Sequence, residues 1–175
     1  QCKGCHYRDG KDILPIGPSV RQLNGNFTYA DGAKNQLTKW VEKEWLTDLP
    51  ELAKVPKMAD WSNPKSGTID QRARGYLDAN CAHCHNEKGP ANTSGLYLNV
   101  HETNPENYGV DKSPVAAGRG SGDRPYSIVK GDPDNSIIVY RMASKDPGVM
   151  MPEVSRKLVH TEGVALIREW IKGMK

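Results

Sequence analysis

The sequence predicts an all-α, loop-rich fold made of two small units, each organised around a group supplied from outside the chain. Three observations lead there. All four cysteines fall into two copies of one spacing, C-x-x-C-H, at residues 2–6 and 81–85. Apolar residues recur at helical intervals on both sides of the second copy. The apolar stock is thin for a protein-only core, with 37% hydrophobic residues, a single Phe, 17 Gly and 12 Pro in 175 residues. A chain of that length makes one ordinary domain or two small ones.

Taken in order, the chain opens on the first motif, "CKGCH", at Cys2, Cys5 and His6. Because Gln1 stands immediately before it, an upstream segment, domain or subunit is expected. The stretch "SNPKSG", residues 62–67, reads as a linker dividing 1–64 from 65–175. In "TIDQRARGYLDANCAHCH", Thr68 and Asp70 suit a helix start. Ala73, Tyr76, Leu77 and Ala79 then line one side of a helix that runs into the second motif. "GDPDNSIIVYRMAS" predicts a short helix entered through Pro133 and Asp134. "HTEGVALIREWIKGM" predicts a last helix with Thr161 as N-cap and Val164, Ile167, Trp170 and Ile171 at helical spacing. The first and last of these helices should cross, with Gly75 allowing close approach and Trp170 as the large partner.

The motif carries the chemistry. In C-x-x-C-H two thiols one helical turn apart can add across the two vinyl groups of one haem, and the adjacent His lies under the iron as proximal ligand. A disulfide, a thioredoxin-type redox pair and half of a zinc site are the competing readings. A redox pair opens a helix after a strand and needs no following His, and a zinc site needs partners at matching geometry. No cysteine is left over, which favours haem c at both copies: Cys2, Cys5 and His6 for one, Cys81, Cys84 and His85 for the other. The sixth position of the second iron has five candidates downstream, His101, Met142, Met150, Met151 and His160. "GVMMPEVS" is a Pro-containing apolar loop before the last helix, so Met151 is preferred and Met150 is next. Met142 sits on a helical face and reads as core.

Residues 68–175, with a helix, C-x-x-C-H, a long loop, a Met-Pro loop and a final helix, resemble a class I cytochrome c domain. "GRGSGDRPYSIVKGDP" reads as an insertion relative to the smallest members. The first half resembles the haem-ligating half of a mitochondrial-type cytochrome c, through Gly17-Pro18, the Tyr29 region, a helix bearing Trp40 and Lys57-Met58. That resemblance implies Met58 as distal ligand of the first haem and a cytochrome c-like fold with two haem-binding units. No final helix follows Met58, which departs from the family pattern. Both motifs also resemble a family of larger bacterial proteins with paired C-x-x-C-H sites.

Two functions follow from the resemblance. One is an electron carrier whose two irons are closed by His and Met and which serves redox partner proteins. The other is a haem enzyme of the dihaem peroxidase kind, or the cytochrome domain of a dehydrogenase. An enzyme needs distal acid and base groups, whereas Glu102, Glu106 and Asp111 are scattered in a loop, so the carrier is favoured. The net charge of +3 would be offset by haem propionates, so no nucleic-acid partner is expected. No run of 18 apolar residues predicts a membrane span. Covalent haem attachment and paired thiols point to the periplasm or cell surface.

Overall fold

The computed structural model describes residues 6–8, 12–13, 15–115, 117–154 and 156–175. They form two compact units, one of Ile16–Ala59 and one of Asp60–Lys175 with the amino-terminal residues up to Pro15. At the amino terminus β1 (Tyr7–Arg8) pairs antiparallel with β2 (Asp12–Ile13).

In the Ile16–Ala59 unit a single turn of helix, α1 (Val20–Leu23), leads into a hairpin of β3 (Asn26–Tyr29) and β4 (Gly32–Asn35). The register pairs Phe27 with Lys34 and Tyr29 with Gly32. Gly32 has φ +116°, a value that glycine adopts at little cost where a hairpin turns back. Asn35 then ends the strand and starts α2 (Gln36–Glu42), its side chain accepting the Leu37 N–H at 2.9 Å. Leu37 and Val55 are the buried apolar side chains of this unit.

In the larger unit Thr68 caps α3 (Ile69–Asn80) through a reciprocal box, with the Gln71 N–H donating to Thr68 Oγ1 and the Thr68 N–H donating to Gln71 Oε1. Helix α4 (Ile137–Ala143) and helix α5 (Thr161–Lys172) follow. Ala73, Tyr76 and Leu77 of α3 share one core with Leu166, Ile167, Trp170 and Ile171 of α5. Leu77, Ile167 and Ile171 are completely covered, each contributing about 2 kcal/mol of apolar burial. The Trp170 indole N–H donates to Asp70 Oδ1 at 2.9 Å, tying the two helices at their edge. Between the helices a long irregular segment fills the remaining side of the core with Leu98, Val110 and Ile128, held by short bridges such as Val110 to Ile128.

The expected all-α, cytochrome c-like fold is corrected by these elements. Five α-helices are joined by two antiparallel two-stranded sheets among the described residues, which makes a small mixed fold. The physical reason is local. "NFTYADGAKN" places aromatic and β-branched residues before an Ala-Asp-Gly turn, a pattern that suits a hairpin better than a helix. Two boundaries also shift. Helix α5 has His160, not Thr161, at its N-cap position, and α4 begins at Ile137 after Ser136 rather than at Pro133. The expected crossing of α3 and α5 is present. The close approach is made at Gly163, where a Cβ would stand 2.2 Å from Tyr76 Oη.

Candidate functional site

The second motif lies where α3 stops. Cys81 is the C-cap of the helix, and its N–H still donates to the Leu77 carbonyl at 2.8 Å. The Cys81 carbonyl accepts from the Cys84 N–H at 3.0 Å and from the His85 N–H at 2.9 Å. One tight turn therefore carries both thiols and the imidazole. Cys81 and Cys84 are thiols and both are half-buried. Burial, with the neighbouring Cys84 adding to it, pushes the Cys81 thiol up to about 12, so it is protonated at neutral pH.

The residues after the motif hold this turn from below. The Ala91 N–H donates to the Cys84 carbonyl at 3.1 Å and the Leu98 N–H to the His85 carbonyl at 2.8 Å. Gly89 comes so close that a Cβ would lie 2.3 Å from the Cys84 carbonyl oxygen. His85 itself is buried. That burial lowers its affinity for a proton, opposed by the Leu96 carbonyl beside it, and leaves the neutral ring that ligates metals. Ser94 Oγ stands 3.4 Å from His85 Nδ1. These supports were not singled out from the sequence. "EKGP" after the motif was the available signal, since a Gly-Pro pair marks a turn.

The charges of Arg141 and Glu153 both reach the His85 ring, so the segment around Met150 and Met151 lies within electrostatic range of it. Met150 and Met151 are half-buried. The Met151 N–H donates to the Arg141 carbonyl at 3.1 Å and the Met150 N–H to the Asp146 carbonyl at 2.7 Å. Met142 packs against the α3–α5 core. His160 lies between two aromatic rings instead. Its ring stacks on Tyr76 at 5.6 Å and meets Trp61 edge-on at 4.8 Å, with Nδ1 3.0 Å from Tyr76 Oη. Glu102 accepts from the Asn104 N–H and from Asn107 Nδ2 at 2.8 and 3.2 Å, and these bonds hold its carboxyl below its ordinary value.

Of the first motif, Cys2 and Cys5 lie outside the described residues. His6 is described and half-buried. Burial, followed by the charge of His6, disfavours the protonated form of His83, so the first motif's histidine is within electrostatic range of the second motif. His83 Nδ1 is buried with no hydrogen-bond partner among the described residues. Met58 belongs to the other unit, where its N–H donates to the Arg21 carbonyl at 2.8 Å.

Among the described residues no three His, Cys, Asp or Glu side chains converge to hold a bare metal ion. Cys81, Cys84 and His85 do not make the closed tetrahedral set that a structural zinc ion takes. No family model, curated protein or solved structure matches the chain.

Proposed function

We propose that the chain holds two covalently attached c-type haems, at Cys2/Cys5 and Cys81/Cys84, and carries electrons between redox partner proteins in the periplasm or at the cell surface. The observation that carries this reading is the turn at the end of α3. Its one carbonyl gathers the amides of Cys84 and His85, so two thiols and a buried neutral imidazole are presented together. When bound, haem supplies a one-electron couple at its iron. The chain's own residues do the rest. Cys81 and Cys84 would tether the porphyrin edge, and His85 would bind from the proximal side. Met151, with Met150 beside it, would offer a soft thioether from the distal side. At the first site the corresponding residues are Cys2, Cys5 and His6.

A thioether opposite an imidazole favours the reduced iron relative to a second imidazole, which suits acceptance and onward passage of electrons. Glu102 is spent on its own loop, so it is a poor acid or base for peroxide chemistry. The test is the mass of the intact chain together with a pyridine haemochrome assay. Two haems per chain that resist acid-acetone extraction support the reading. A chain without covalent haem overturns it, and a high-spin ferric iron with peroxide turnover would favour the haem enzyme over the carrier.

A further inference from the structure

The segment carrying Met150 and Met151 has no regular secondary structure and is held by turn bonds to the Asp146 carbonyl together with contacts from Arg141. Arg141, on α4, touches it on both sides. Its carbonyl accepts the Met151 N–H at 3.1 Å. Its Nε donates to the Val149 carbonyl at 2.9 Å, just before the methionine pair, and Nη2 reaches Glu153 Oε1 at 3.4 Å, just after it. The Arg141 side chain is only 19% exposed. Gly120 packs against it so closely that a Cβ would stand 3.3 Å from both Cζ and Nε. Two further arginines pin the flanks. Arg119 Nη2 donates to Asp146 Oδ1 at 2.7 Å, and Arg156 donates to the carbonyls of Met142 and Ser144.

We propose that Arg141 is the positioning residue for the distal thioether of the second haem site, holding the Met150–Met151 segment through one backbone and two guanidinium contacts. This rests on the haem reading above. A planar guanidinium donates in two directions from one rigid fork, which a lysine ammonium on a flexible stem does not reproduce. Arg141 itself need not touch haem. It limits how often the loop opens and surrenders the sixth position.

Imidazole added to the ferric holoprotein competes for that position, so its apparent affinity reports loop opening. Arg141→Leu is expected to bind imidazole about tenfold more tightly than the parent, the loss of one charge-assisted hydrogen bond. Its weak sulfur-to-iron band should fade and its midpoint potential should fall. Arg141→Lys should lie between the two. Ile167→Val, which loosens the α3–α5 core without touching the loop, should leave imidazole affinity unchanged. If Arg141→Leu does not fold, Gly120→Ala decides, because its new methyl displaces the guanidinium slightly and should shift affinity in the same direction by less. Parent-like affinity and band in Arg141→Leu, or in Gly120→Ala in its place, would overturn the proposal. So would an Arg141→Lys protein equal to the parent, because charge alone would then suffice. A parent chain with no covalent haem would overturn the haem reading and this proposal with it, and a haem-bearing parent with no sulfur-to-iron band would overturn this proposal alone. That failure is told apart by being visible before any variant is made.

Discussion

Replacing Gly163 by alanine sets two effects of opposite sign against each other. Alanine is the better helix former by about 1 kcal/mol in a helix interior, and by less in the first turn of α5 where this residue sits. Against that, the new Cβ would stand 2.2 Å from Tyr76 Oη, 2.4 Å from its Cζ and 2.7 Å from His160 Nδ1. Tyr76 cannot swing aside freely, because it is 7% exposed and its ring is stacked on His160 and edge-on to Trp61. Overpacking of this kind costs about 1–3 kcal/mol. Losing the Tyr76–His160 hydrogen bond adds about 1 kcal/mol. The net effect is a loss of about 2 kcal/mol, which in a chain of this size lowers the melting temperature by roughly 5 °C. Thermal unfolding of the protein, followed by circular dichroism, measures it. In a Tyr76→Leu background the two shortest contacts are gone and only His160 Nδ1 remains in the way, so the same change should cost less than in the parent. A Gly163→Ala protein that melts higher than its parent would refute the packing argument, because propensity would then have outweighed the contact.

The remaining predictions concern the site and its surroundings. Substituting both Cys81 and Cys84 by serine should remove one of the two haems found by haemochrome assay and leave the other in place. On the proposed haem reading, Met151→Ala should abolish the share of the sulfur-to-iron band belonging to the second haem. If Met150→Ala removes the band and Met151→Ala does not, the ligand is the other member of the pair. Asp132, before α4, accepts from the Asn135 side chain at 2.7 Å and from the amides of Asp134 and Asn135, and these bonds hold its carboxyl below the ordinary value of 3.8. A lowered folded value adds stability that is present above that pH and is lost as pH falls through the folded value. Asp132→Asn should therefore be less stable in urea at neutral pH, and its stability should decline less steeply below about pH 4.

The helices flanking the second motif were legible because their signals are local. Thr68 with Gln71 three residues on is a capping box in the sequence and in the structure, and the 3.6-residue spacing of Ala73, Tyr76 and Leu77 marks the face that α5 covers. The bond from Trp170 to Asp70, a hundred positions apart, has no local signal. Neither has the loop core. Leu98, Val110 and Ile128 lie in segments without periodicity; Val110 and Ile128 pair in a bridge and the Leu98 N–H donates to the His85 carbonyl, contacts that only the folded chain brings together. The hairpin at 26–35 did have a signal, in Phe27, Thr28 and Tyr29 before Asp31-Gly32. The resemblance to a helical family points away from that hairpin, while the turn chemistry points to it. Arg141 could not be found from sequence, since an arginine on a short helix looks the same whether it faces solvent or reaches back to staple a loop.

A thin apolar stock predicts a deficit that a bound group would fill, but the two units spend that stock differently. Asp60–Lys175 has a contiguous core between α3 and α5. Ile16–Ala59 buries Leu37 and Val55 while Val20, Phe27 and Trp45 stay exposed. What ties that unit together is polar. The buried Asn24 amide donates to the Val55 carbonyl at 2.9 Å, and Asn35 Nδ2 donates to Asn24 Oδ1 at 2.9 Å, so one asparagine joins the turn after α1, the end of β4 and the segment at Val55. Buried amides with satisfied partners rigidify a small unit without apolar bulk. A low hydrophobic fraction therefore does not by itself require a prosthetic group. The haem reading stands on the spacing of Cys81, Cys84 and His85 and on the turn that gathers them.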